Sequence, residues 1–67
     1  MIINKEDRDF LLIHLMEECG EVVRAAAKVL RKGTTIARLS HLEDEIKDVE
    51  DKIDLLRKLK VIKSKVS

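Results

Sequence analysis

The chain contains no proline, tryptophan or tyrosine, one phenylalanine, one cysteine and two glycines. Missing Trp and Tyr removes the bulky anchors that a small core uses. A lone cysteine excludes an intramolecular disulfide and suits a reducing compartment. No uninterrupted apolar run approaches the ~20 residues that a bilayer demands. The first nine residues end in five consecutive charged ones, Lys5 to Asp9, where a signal peptide turns apolar. These features read as a cytoplasmic protein that does not enter membranes. Neither sign of charge dominates, and a net charge of +1 argues against nucleic acid as a partner of the whole molecule. There is no glycine-rich phosphate loop and no Cys/His spacing of a zinc site.

What is present is 45% apolar and 40% charged residues over 67 positions, the balance of a single all-α domain spanning 1–67. Asn4 is a good N-cap, with Glu6 and Asp7 near the positive helix end. Phe10, Ile13, Met16 or Leu15, Cys19, Val23, Ala26 or Ala27, and Leu30 recur at helical spacing. Arg31 and Lys32 precede Gly33, a left-handed stop. The first helix is therefore expected over about 5–32. Two start signals compete for the second: Thr35, and Ser40 with Glu43 as a capping box. Leu39, Leu42, Ile46, Val49, Ile53 and Leu56 alternate spacings of three and four, as in a packed seam, and the stripe then shifts to Leu59, Ile62 and Val66. This helix is expected over about 35–63. A short connection returns it antiparallel as a hairpin. Two helices alone bury too little to offset ordering some 55 residues at ~1–2 kcal/mol each. A homodimer or higher homo-oligomer, with two hairpins forming a four-helix bundle, is expected.

The acids carry the functional signal. His14, Glu18 and Glu21 are echoed 27 residues later by His41, Glu45 and Asp48. Residues three or four apart share a helix face, so each segment aims two carboxylates one way. Four converging carboxylates stay ionised only if a cation offsets their repulsion. All-oxygen ligation selects hard ions such as Mg²⁺ or Mn²⁺, which share coordination with phosphates. Acids at such spacing also occur on solvated helices, where pairs such as Glu21–Arg24 or Asp48–Lys52 add ~0.2–0.5 kcal/mol. Two features separate this case: the offsets repeat in both helices, and Glu17 and Glu18 adjoin the apolar stripe.

Glu17, Glu18 and Glu21, followed after 23 residues by Glu45 and Asp48, resemble the Glu-Glu-x-x-Glu … Glu-x-x-Asp signature of the MazG-like all-α nucleoside triphosphate pyrophosphohydrolases. The flanks from Leu15 to Gly33 are similar to short phage and bacterial members, and the match covers roughly residues 10 to 57. The resemblance implies an Mg²⁺-dependent enzyme that cleaves an NTP or dNTP between the α and β phosphorus atoms, giving a nucleoside monophosphate and pyrophosphate. Carried over by position, Glu18, Glu21, Glu45 and Asp48 are metal ligands. Glu17 is a further ligand or the catalytic group that orients the water. Arg24, Lys28, Lys52 and His14 are candidate substrate contacts. The chain departs from the pattern in stopping soon after the second motif and in its acidic run to Asp54, and base stacking has only Phe10 and the two histidines to draw on.

Other residues admit plainer readings. Each His packs or bonds a nearby carboxylate, or touches substrate. Cys19 reads as a small core residue. Gly20 costs ~1 kcal/mol against alanine in mid-helix, and either admits a close neighbour or is simply small. The five bases from Arg57 to Lys65 complement the helix dipole or bind a phosphate or partner. The alternative function is a non-catalytic helical module for oligomerisation or partner binding.

Overall fold

The computed structural model describes residues 3–63, which form α1 (Lys5–Lys32) and α2 (Ile36–Lys58) joined by Gly33, Thr34 and Thr35. Lys65 of the basic end and Val66 of the late stripe lie outside the described residues. Among the described residues there is no strand, and no helix is long and apolar enough to cross a membrane.

The ends of α1 fall where its local signals stand. The Asn4 side chain accepts from the Asp7 N–H at 2.9 Å. At the other end Gly33 has φ 92° and ψ 169°, a region open in practice only to glycine. Its N–H donates to the Val29 carbonyl at 2.8 Å. Arg38 reaches back over this turn, its Nη1 donating to the carbonyls of Lys32 (2.8 Å) and Gly33 (3.1 Å). Carbonyls orphaned at the helix end are thereby satisfied. Of the two start signals for α2, Thr35 is used; its hydroxyl accepts from the Arg38 N–H at 3.2 Å.

The second helix ends at Lys58, short of the expected 63. Val61 N–H donates to the Leu56 carbonyl at 2.9 Å and Lys60 N–H to the Arg57 carbonyl at 3.1 Å. These paired backward bonds close a helix through a left-handed residue. Here that residue is Lys60, at φ 63°, so no glycine announces the stop.

The helices form one antiparallel layer of 45 × 25 × 14 Å. Their facing positions run at spacings of three and four: Leu11, Leu15, Glu18, Val22, Ala25 and Val29 against Arg38, Leu42, Glu45, Val49, Lys52, Leu56 and Leu59, all buried or half-buried. Among the described residues only Ala25 and Leu56 are buried, Leu56 completely. The apolar stripe expected on the first helix is largely open: Phe10, Ile13, Met16, Cys19, Val23 and Leu30 are exposed. Cys19 is therefore not a core residue of the hairpin. Two apolar stripes wind along α1, and α2 packs on the one that carries Glu18. On α2, Leu39 and Ile46 are likewise exposed, while Leu42, Val49 and Ile53 are half-buried. At 100° per residue, Met16, Val23 and Leu30 point roughly 120–180° away from Glu21 and Lys28, while Ile13 falls within about 20° of Arg24. The accessible surface is 5510 Å², against roughly 4,300 Å² for a compact monomer of this mass.

The two glycines should respond oppositely to alanine. A Cβ at Gly20 would meet only the tip of Arg24 at 3.8 Å, so Gly20→Ala should raise stability by about 1 kcal/mol through helix propensity. Gly33→Ala forces an L residue into a backbone region it avoids and should lower stability by about 1–3 kcal/mol. Urea unfolding followed by circular dichroism measures both, and equal signs would contradict this account.

Candidate functional site

Because the turn is short, the hairpin pairs residues by their distance from Gly33. Glu21 and Glu45 stand 12 residues to either side of it, Glu18 and Asp48 stand 15, and His14 and Lys52 stand 19. The two acidic motifs thus meet head to tail. The first acid of one faces the second acid of the other.

Glu18, on the inner face of α1, has a side chain 15% exposed; Lys52 opposite it is 14% exposed. Lys52 Nζ lies 3.9 Å from Glu18 Oε1. It donates to His14 Nδ1 at 2.8 Å, which makes Nδ1 an acceptor and leaves the ring proton on Nε2. His14 Nδ1 is also 3.9 Å from Glu18 Oε1. Neither 3.9 Å contact is a hydrogen bond, and Glu18 Oε1 is buried without a partner. Glu18, Asp48, Asp51, Lys52 and Leu55 line a cleft of about 230 Å³ here.

One turn toward the hairpin loop, Glu21 and Glu45 meet. The Glu21 carboxylate favours the protonated form of Glu45 beside it and raises Glu45 above the ordinary value of 4.5. Burial and the charge of Glu21 push the same way, Asp48 adds a little, and His41 opposes. Glu45 Oε2 is a second buried oxygen without a partner. Glu21, Arg24, Ala25, Lys28, His41 and Glu45 line a cleft of about 190 Å³. It runs into a groove of about 330 Å³ bordered by Lys28, Lys32, Ala37, Arg38 and His41. One side of the hairpin therefore grades from acidic at Asp48 to basic at Lys32.

The structure brings Glu18, Asp48, Lys52 and His14 into one group, and Glu21, Glu45, Arg24 and Lys28 into the next. Glu17 is exposed and lines neither cleft. Lys52 does not pair with Asp48, its neighbour one turn back on α2, but crosses to Glu18 and His14. Asp51, Lys32 and Arg38 join these clefts without having been singled out in the sequence. The signal for Asp51 was its three-residue offset from Asp48; Arg38 carries no comparable one, since its role depends on the turn.

Among the described residues, no three His, Cys, Asp or Glu side chains converge closely enough to hold a metal ion. The acids stand as two pairs a helical turn apart, not as one quartet. The donor set nonetheless fits a hard cation: of the three orphaned buried side-chain atoms among the described residues, Arg57 Nε lies elsewhere on α2, and the two at the clefts are carboxylate oxygens, the ligands that Mg²⁺ and Mn²⁺ select. No protein-family model, curated protein or solved structure matches the chain.

A raised carboxyl in the folded state binds its proton more tightly than the unfolded chain does. Its penalty is therefore full at neutral pH and is relieved as pH falls through the raised value toward 4.5. Glu45→Gln, which donates to Glu21 without charge, should melt higher than the native chain at pH 7–8 in metal-free buffer. That advantage should shrink toward pH 4.5, as measured by thermal melts across the range. A gap that stays constant or widens on acidification would show that Glu45 is not raised.

Proposed function

We propose that the chain is an Mg²⁺- or Mn²⁺-dependent nucleotide pyrophosphohydrolase that works as a homo-oligomer in the cytoplasm. The observation that carries this reading is the pairing of acids from both helices on one side of the hairpin, with two buried carboxylate oxygens left without partners beside a basic groove. Glu18 with Asp48, and Glu21 with Glu45 one turn on, would supply the carboxylates for the metal. A bound Mg²⁺ or Mn²⁺ supplies Lewis acidity and offsets charge on the triphosphate. Arg24, Lys28 and Lys32 suit its outer phosphates. Glu17 stands outside both clefts, so its part, orienting the attacking water or adding a ligand, rests on the resemblance alone; water attacks the α phosphorus, the α–β phosphoanhydride bond breaks, and a nucleoside monophosphate and pyrophosphate remain. Phe10, exposed and stacked on the His14 ring with centroids 6.3 Å apart, offers an aromatic face for a base. The resemblance to the MazG-like signature supports the same assignment.

The second copy docks on the apolar side. The surface in excess of a compact monomer is roughly 1,200 Å², more than the roughly 800 Å² per partner of an ordinary stable interface. Met16, Val23 and Leu30, with Leu39 and Ile46, give the four-helix bundle its inner faces. The same exposed face also favours a second reading, a non-catalytic module for oligomerisation or partner binding.

Pyrophosphate release across an NTP and dNTP panel, with and without Mg²⁺ or Mn²⁺, separates the two. The enzyme reading requires metal-dependent release from at least one nucleotide, reduced to background by Glu18→Gln at unchanged helicity. Absence of release from every nucleotide would leave the binding module. By sedimentation, the native chain should show about twice its 7.7 kDa mass or a higher multiple, and Val23→Glu should dissociate it. A native monomer would remove the bundle.

A further inference from the structure

We propose that Lys52 is a tethered counter-cation for Glu18, filling the positive place that a divalent ion takes, so that ion loading displaces it. This rests on the ion-binding reading of the site. Lysine is almost never buried unless paired, yet this one lies in the helix seam with 14% of its side chain exposed. Its one short bond goes to an uncharged ring nitrogen, His14 Nδ1 at 2.8 Å. The ammonium charge is thereby held near Glu18 but not spent on it. At 3.9 Å it attracts Oε1 without hydrogen-bonding to it, and that oxygen still lacks a donor. Lys52 thus supplies charge without supplying a bond.

A cation on Glu18 Oε1 at the usual ~2.0–2.2 Å for Mg²⁺ or Mn²⁺ would sit within a few ångströms of that ammonium. Two positive centres so close in a half-buried seam repel strongly. The lysine stem is long and its head prefers water, so it can swing outward along the cleft beside Asp51. The ion-free hairpin keeps its buried carboxylate compensated by this means, at the expense of ion affinity.

The test is Mn²⁺ affinity by calorimetry on the native chain, Lys52→Met and Lys52→Arg, with helicity checked by circular dichroism. Lys52→Met, which keeps the stem and removes the charge, should bind Mn²⁺ about tenfold tighter or more, and Lys52→Arg should stay near native. Equal or weaker binding by Lys52→Met, with the native chain still binding, would overturn the counter-cation role and leave the ion site standing. If no form binds Mn²⁺, both fail together. A second measurement needs no variant: Mg²⁺ should raise the rate at which acetic anhydride modifies Lys52 in the native chain, relative to exposed Lys5, as read by peptide mass spectrometry. Bound Mg²⁺ with an unchanged Lys52 rate would overturn the displacement.

Discussion

A glutamate and a lysine face each other across the seam of this hairpin where two leucines would ordinarily pack. Every other feature accommodates that pair. Burying opposite charges recovers their desolvation only when geometry is excellent and spare lone pairs find donors, and here Glu18 keeps an oxygen with none. The seam has little else with which to compensate, since among the described residues only Ala25 and Leu56 are buried. An arrangement that is poor as packing is more intelligible as a site. Under the proposed function, the adjacent cleft would give the inner charges a use, and assembly would fall to the apolar stripe on the far side. Chemistry and assembly would then take opposite sides of a single layer.

How much of this could be read from the sequence follows the range of the interactions involved. The first helix was legible to the residue because Asn4, Asp7 and Gly33 act within one turn of its ends. The second was open at its start, between Thr35 and Ser40, and illegible at Lys58, where Lys60 takes the left-handed conformation that glycine usually marks. Which stripe of α1 would turn inward was not readable at all. Leu11–Leu15–Val22 and Ile13–Met16–Val23 have similar periodicity, and the choice is made by the partner helix. The acids were legible as same-face pairs on each helix. Their partition into Glu18 with Asp48, and Glu21 with Glu45, needed the turn length.

Lys52 is the clearest case of information held only in three dimensions. By sequence it stands one turn from Asp48 and reads as a surface pair; its ammonium instead crosses to the opposite helix. The apparent repeat of His, Glu and acid was similarly misleading in form. The two copies are offset by translation along the chain, but the hairpin superposes them by reversal, so His14 meets Lys52, one turn past the second motif, and His41 shares a cleft with Glu21, the last acid of the first.

Gly33 sits at the fulcrum of that reversal. With its backbone fixed in a conformation other residues avoid and Arg38 strapped across it, the loop behaves as a rigid ruler that sets which rung of one helix faces which rung of the other. Lengthening it by a single residue would turn the second helix by about 100° relative to the first. Both helices would survive, yet every charged rung would be disengaged at once. Loop length, which most proteins let drift freely, is in this chain as stringent a requirement as the identity of the acids themselves.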